Sequence, residues 1–370
     1  MKQDENQNIR VGITHGDFNS ISYEIIIKAL LDKRSLELFT PIVYGSSKIA
    51  SYYRKTLELT EINFNLVKKA DYANAKRVNI INCSNDEVKI EIGQSSPVAG
   101  EMAFLALEKA IDDLKWGKLD VLVTAPFNKK NIQSDKFDFA GHTDYLAHKF
   151  DTDEHLMLMV NGTLRIGILT GHIPIKNVSD AITKELLMKK IRVMNRSLEM
   201  DFNIPKPKIA ILGLNPHAGD QGLIGKEETE VLAPVIQQAK EEGLLVFGPY
   251  PADGLFGSSN YRNFDGIMAM YHDQGMLPFK TFAFESGVNY TAGLPIVRTS
   301  PAHGTAYDIA GKNIASPDSF RQAIYLAIDI FRNRSTYEEL RKNPLTVKAS
   351  GQKEITATHR EEQEIKNVNQ

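Results

Sequence analysis

Apolar positions in this chain fall into short runs broken by polar loops, and these alternate with stretches at helical spacing. Ile9–Thr14 reads as a first strand, Tyr23–Leu31 as a helix and Pro41–Tyr44 as a second strand. Residues 50–95 mix polar residues with short apolar runs and give little periodicity. Ala99–Trp116 is the clearest helix: Ala103, Ala106, Leu107, Ala110, Ile111 and Leu114 recur on one face, and Gly117 suits the C-terminal cap. Leu119–Ala125 then reads as a buried strand ending at Pro126. Three more strands are predicted at Arg165–Thr170, Lys208–Leu214 and Gly266–Met270, with helical segments at about 180–200 and 226–242. A candidate strand at Leu294–Thr299 leads into a glycine-bearing loop. A helix follows from about Pro317 to Asn333, with Ser316 as N-cap and Pro317 in the first turn. Its Phe320, Ile324, Ala327 and Phe331 form an apolar stripe that suits a core better than a cofactor contact. Strands alternating with helices predict a layered α/β protein. From about Thr346 the chain turns polar and reads as a disordered or loosely attached tail.

Three of these strands end in the same way. His172 follows Arg165–Thr170 in T-G-H-I-P, His217 follows Lys208–Leu214 in L-N-P-H-A-G-D-Q-G, and His272 follows Gly266–Met270 in Y-H-D-Q-G. In open α/β sheets ligands bind beyond the carboxyl ends of the strands, where loops and helix N-termini converge. Three imidazoles delivered to that edge can bind one divalent metal and leave positions open for substrate. They suit Zn, Co, Ni or Fe, and Mg or Mn where carboxylate or substrate oxygens complete the shell. A lone strand-end histidine is usually an ordinary loop residue; the repetition is the signal.

Composition narrows the setting. With 42% apolar and 24% charged residues over 370 positions, the chain should be globular and well cored. A net charge of −2 with scattered Lys and Arg gives no basic stripe for nucleic acid and no excess for an anionic membrane. One cysteine, Cys83, excludes an intrachain disulfide framework and a multi-cysteine metal site. The polar start lacks the apolar core of a signal peptide and no run approaches a membrane span, which leaves the cytoplasm as the expected location.

Other polar clusters add candidate chemistry. The glycines after His217 can expose backbone N–H groups to an anion. His272, Asp273 and Lys280 lie close in sequence, a grouping that can serve as metal ligand, orienting group and acid/base or anion anchor. His142 and Thr143, in A-G-H-T-D, can both donate to phosphate or carboxylate, although Thr143 would equally serve as a helix N-cap. No G-x-G-x-x-G follows the first strand, so an ordinary Rossmann dinucleotide site is unsupported. His15, His148, His155 and His359 read only as loop or helix-surface residues.

Taken together, G-H-T-D, L-N-P-H-A-G, Y-H-D-Q-G with Lys280, G-V-N-Y-T-A-G-L-P-I-V-R-T-S and H-G-T-A occur in an order and spacing that closely resemble the 4-hydroxythreonine-4-phosphate dehydrogenase family of vitamin B6 biosynthesis. The likeness covers roughly residues 9–335. It implies a two-lobed α/β/α layered fold of the isocitrate/isopropylmalate dehydrogenase-like type, with the active site in the cleft between lobes. Residues 1–140 plus 296–345 would form the first lobe, 141–295 the second, and 346–370 the polar tail. The implied activity is NAD- or NADP-dependent oxidation of the C3 hydroxyl of 4-phosphohydroxy-L-threonine, followed by loss of CO2 from the β-keto acid, in a homodimer whose divalent-metal site is shared between subunits. By motif match His172, His217 and His272 correspond to metal ligands, and His142, Thr143, Lys280, Asn289 and Arg298 to substrate-binding positions. Lys280 and Asp253 are the implied catalytic groups. His303, Gly304, Thr305, Ala306 and Asp308 fall in the block that resembles a cofactor loop.

Two stretches depart from the family pattern. The family's G-D-P-A-G-I-G-P-E reads G-D-F-N-S-I-S-Y-E here (Gly16–Glu24), and A-G-E-G-G reads A-G-D-Q-G. They leave room for a relative acting on 4-phosphorylated threonate or erythronate. A metal-dependent hydrolase, or a non-catalytic binder of a phosphorylated metabolite, is the alternative of a different class.

Overall fold

A computed structural model of the chain describes residues 8–84, 87–139 and 141–343. Twelve strands build one sheet: β1 Ile9–Thr14, β2 Phe39–Gly45, β3 Phe64–Leu66, β4 Val78–Asn82, β5 Val121–Thr124, β6 Leu156–Asn161, β7 Leu164–Ile168, β8 Lys208–Leu212, β9 Leu245–Tyr250, β10 Gly266–Ala269, β11 Val288–Ala292 and β12 Arg298–Pro301. Their order is β3-β4-β2-β1-β5-β12-β11-β6-β7-β10-β8-β9. Pairing is parallel except around β11, which runs antiparallel to β12 and β6, and between β6 and β7. Strands from before residue 140, with β12, occupy one half of the sheet, and strands from within 141–295 occupy the other. The compact unit that carries the sheet ends at Ser335. The polar tail expected beyond Thr346 lies outside the described residues.

The sheet is buried on both faces, as parallel strands require. Alternation sends Val121 and Val123 of β5 into one apolar cluster and Leu122 into another on the opposite face. Each such side chain, wholly removed from water, contributes roughly 1.5–3 kcal/mol. The helix Pro97–Lys115 covers part of the sheet and is bounded as its sequence suggests. Ser96 Oγ accepts the Ala99 N–H at 3.3 Å, Pro97 takes the first turn, and Gly117 closes the end at φ +66°. In the helix Asp318–Arg341, Phe320, Ile324 and Ala327 are buried, and Ser316 Oγ caps the start through the Asp318 N–H. The Cys83 thiol lies just past β4, and burial pushes its pKa up to about 12.

Three strands run against hydropathy: β9, β11 and β12. β9 carries Gly248 and Pro249, residues that normally argue against a strand, and is tolerated because it is the sheet's edge with an irregular register beside it. β11 (V-N-Y-T-A) interrupts its apolar positions with Asn289 and Thr291. The strand predicted at Leu294–Thr299 lies further along: Leu294 and Val297 are buried in an irregular connection, and the ladder begins at Arg298. Its sequence, R-T-S-P, is polar yet wholly buried, the mark of a strand that lines a site.

Candidate active site

The three histidine strands are neighbours in space. β7, β10 and β8 are consecutive in the sheet and parallel, so His172, His217 and His272 leave the same edge. Side chains stitch the strand ends together. Thr170 Oγ1 donates to the Met270 carbonyl at 2.8 Å. Gln274 accepts the Met270 N–H at 2.7 Å and donates to the Gly213 carbonyl at 2.6 Å.

A cleft of about 640 Å³ opens at this edge. It gathers His142, Thr143, His172, His272, Lys280, Asn289, Arg298, His303 and Gly304. His217, Asp253, Thr305, Ala306 and Asp308 do not line it. His217 and Asp253 are solvent-exposed, the latter in the short helix Ala252–Gly257. The cleft also draws in residues without a sequence signal of their own: Thr124 at the end of β5, Phe127 and Lys129 beyond it, then Asp144, His155 and Lys190. Lys129 follows a strand end just as the histidines do, in T-A-P-F-N-K, which is the pattern that could have found it. His155, read from sequence as a surface residue, instead lies 3.6 Å from the Asp144 carboxylate through Nε2. His15, read the same way, is fully buried beside β1, its Nε2 3.2 Å from the Met102 carbonyl.

One end of the cleft is an anion pocket. The Arg298 guanidinium is 4% exposed and bonds only hydroxyls and an imidazole: Thr124 Oγ1 at 2.6 and 3.2 Å, Thr291 Oγ1 at 3.4 Å and His142 Nδ1 at 3.5 Å. Among the described residues no carboxylate bonds it. Burial alone lowers its pKa to about 10, so it stays charged and uncompensated at neutral pH. Beside it the His142 ring stacks on Phe127 at 3.7 Å between centroids and 9° between planes. Burial, with Arg298 and Lys129 nearby, holds His142 well below the usual imidazole range, so it is neutral. Because Nδ1 accepts from Arg298, the network places the proton on Nε2, which finds no partner among the described residues. Thr143 Oγ1 shares a hydrogen bond with Thr291 Oγ1 at 3.2 Å and is not a helix cap; the cap position belongs to Gly141.

At the other end the His172 and His272 rings lie 5.4 Å apart. His172 is held below its ordinary pKa by burial and then by Lys129 and His272. Its Nε2 lone pair accepts from Lys129 Nζ at 3.1 Å, the same lone pair that a divalent ion would take. His272 Nδ1 is paired with Asp273 Oδ1 at 2.7 Å, a carboxylate–imidazole arrangement that orients a ligand ring. The pair therefore fits two of a metal's ligands. Among the described residues no three His, Cys, Asp or Glu side chains converge closely enough to hold an ion together. Along the helix His272–Ala283, His272, Met276 and Lys280 follow at helical spacing and present one face to the cleft. His303 Nε2, buried and unpartnered, lies by Gly304.

Sheet and cleft together define an α/β protein with a cleft suited to a small anionic ligand. Residues 37–327 match the family described as pyridoxal phosphate biosynthetic protein PdxA. A curated relative from Bacteroides thetaiotaomicron, named 4-hydroxythreonine-4-phosphate dehydrogenase, is 52% identical over 92% of this chain and 94% of its own length. One from Oceanobacillus iheyensis, named putative D-threonate 4-phosphate dehydrogenase, is 39% identical over 86% of this chain and 97% of its own. The crystal structure of a 4-hydroxythreonine-4-phosphate dehydrogenase from Klebsiella pneumoniae superposes with a TM-score of 0.74 at 32% identity, covering 88% of this chain and all of that one. The chain belongs to the PdxA family, oxidoreductases of vitamin B6 biosynthesis.

Proposed function

We propose that this chain oxidises the C3 hydroxyl of 4-phosphohydroxy-L-threonine with NAD or NADP and a divalent metal ion, giving 2-amino-3-oxo-4-phosphooxybutanoate, which loses CO2 to leave 3-amino-1-hydroxyacetone 1-phosphate. The observation that carries the reading is the uncompensated, buried Arg298 beside neutral His142, facing the His172–His272 pair across one cleft. An anionic substrate supplies the missing countercharge and spans the two ends.

The chain's own residues divide the work. Arg298, His142 Nε2–H and Thr143 bind anionic oxygens, Arg298 through its planar fork. Asn289 Oδ1, buried without a partner, can accept from a hydroxyl or ammonium. Asp144, the one carboxylate among the residues lining the cleft, is held below the usual carboxylate range by its bond to His155 and suits the substrate's C2 ammonium. Lys280 adds a mobile positive charge or relays the hydroxyl proton; Asp253 belongs to the same catalytic assignment. His172, His217 and His272 would hold the metal, which when bound lowers the hydroxyl pKa and polarises the new carbonyl. His303, Gly304, Thr305, Ala306 and Asp308 would hold the nicotinamide nucleotide, which accepts the hydride.

His217 stands apart from the other two ligands, and this favours a homodimer that completes the site. Large apolar side chains are exposed on each histidine-bearing segment: Ile175 after His172, Leu223 after His217, and Leu277 and Phe284 after His272. A second copy packed there would bury them. Within each copy the two halves of the sheet would act as lobes, residues 1–140 with 296–345 and residues 141–295. We assign the protein to the cytoplasm; among the described residues no helix is long and apolar enough to cross a membrane.

His217→Ala tests the assignment: it should abolish turnover while the dimer persists, and full activity would remove His217 from the metal site. Asp144→Asn should raise KM for the amino substrate and spare 4-phosphothreonate. Equal effects on both would take Asp144 out of ammonium recognition.

A further inference from the structure

The Gly16–Glu24 loop, one of the two stretches that depart from the family pattern, is buried: Asp17, Phe18, Asn19, Ser20 and Ser22 have no solvent exposure. Its polar atoms bond several other segments, among them those of Asn131 and Tyr307. The Asp17 carboxylate accepts the Asn19 N–H at 2.9 Å on Oδ1. On Oδ2 it accepts Asn131 Nδ2 at 2.8 Å and the Tyr307 hydroxyl at 2.6 Å. That hydroxyl in turn accepts from Asn128 Nδ2 at 3.2 Å. Two residues earlier, the Thr305 carbonyl accepts the Ile21 N–H at 3.2 Å. Ala306, between these two ties, is held at φ 43°, a left-handed conformation that costs a residue with a Cβ on the order of 1 kcal/mol. Such strain persists only where neighbours over-determine the backbone. Here both neighbours are fastened to the same loop, and the strained turn directly follows His303 and Gly304, which face the cleft.

We propose that Asp17 and Tyr307 are positioning residues for the nicotinamide nucleotide. The buried carboxylate on the first loop latches the turn after His303 in its receiving conformation, and Asn19, tied through its side chain to Glu91 and Ser96, fixes the loop that carries it. This rests on the dehydrogenase reading above. The same carboxylate reaches Asn131, and Tyr307 reaches Asn128, on the segment that also carries Phe127 and Lys129. The Asn131 bond does not involve the Tyr307 hydroxyl, so the Phe127–Lys129 segment keeps its own tie to Asp17 when that hydroxyl is removed.

Tyr307→Phe removes one hydroxyl and leaves the ring. The dissociation constant and KM for NAD or NADP should rise about tenfold, the weight of one charge-assisted hydrogen bond. KM for 4-phosphohydroxy-L-threonine and kcat should stay within about twofold, since the anion pocket is not touched by this change. Amide hydrogen exchange at Thr305–Asp308 should accelerate. In Asp17→Asn/Tyr307→Phe the two effects should overlap, because they break one contact. An unchanged nucleotide KM, a parallel rise in both KM values, or fully additive effects would each overturn the latch. If the wild-type protein binds neither NAD nor NADP, the dehydrogenase reading fails. The exchange measurement then still decides the latch, and unaltered exchange at Thr305–Asp308 in Tyr307→Phe counts against it.

Discussion

Arg298→Met should make the protein more stable and inactive. The guanidinium is buried and charged, and burial lowers its pKa from the ordinary guanidinium range to about 10, with no opposing carboxylate among the described residues. At 1.36 kcal/mol per pH unit, holding the charge there costs about 3 kcal/mol of folding stability at neutral pH. The sign is fixed by the direction of the shift: a depressed cation penalises folding below about pH 10 and is relieved only as pH rises towards 12.5. Methionine matches much of the stem's length and removes the charge. It also gives up the hydroxyl contacts to Thr124 and Thr291, a loss of about 1–2 kcal/mol. The balance favours the variant by roughly 1–2 kcal/mol in anion-free buffer. Urea unfolding of both proteins, with and without inorganic phosphate, reads this directly. Phosphate should stabilise the wild type and leave the variant unmoved, and turnover should fall at least about a hundredfold. A variant less stable than wild type by 1 kcal/mol or more, as judged by ~1.4 kcal/mol per tenfold change in equilibrium, would refute the argument. Equal stabilisation of both proteins by phosphate would do the same.

Two further outcomes follow from buried groups away from the anion pocket. His15 is fully buried and burial lowers its pKa from 6.5 to about 4, so it is neutral when folded and takes up a proton on unfolding. Its contribution is present above pH 6.5 and is lost as pH falls towards 4, about 3 kcal/mol in all. His15→Phe should flatten that part of the stability–pH curve, and an unchanged slope would show that other groups govern acid unfolding. Glu228, 3% exposed, accepts the Asn215 N–H at 2.7 Å and Asn215 Nδ2 at 3.0 Å. It thereby anchors the turn in which His217, Ala218, Gly219, Asp220 and Gln221 all have positive φ. Glu228→Ala leaves the part-buried Asn215 N–H without its acceptor, at a cost of about 1–3 kcal/mol, while Asn215 Nδ2 keeps Glu227 Oε2 at 2.8 Å. Hydrogen exchange across the turn should rise and metal content fall, with the sheet intact. Protection equal to wild type would mean that the turn holds itself.

Much of this was legible in the sequence because parallel strands buried on both faces are apolar throughout. β1 matches its predicted bounds residue for residue, and the strands before the three histidines are all present. Their adjacency was not legible, since sheet order depends on crossovers that local pattern does not encode. Site strands were the hardest to see. β12 is R-T-S-P, whose Arg298 bonds Thr124 and Thr291 and whose Thr299 hydroxyl donates to the Ala323 carbonyl, so hydropathy points too early, to Leu294 and Val297. Lys129 and Asp144 escaped notice for a related reason: single charged residues carry no periodic signal, and only the fold brings them to His172 and His155. The Gly16–Glu24 loop was visible as a departure, but its use as a buried platform depends on Tyr307, which lies far along the chain.

The central claim is that the cleft oxidises a phosphorylated hydroxy amino acid. NAD(P)H formation by metal-replete protein, with 4-phosphohydroxy-L-threonine beside 4-phosphothreonate and 4-phosphoerythronate and before and after chelation, tests it most directly. The account predicts turnover that is fastest with the amino substrate, vanishes on chelation and returns with a divalent ion. Absence of NAD(P)H formation with any of the three substrates would contradict it.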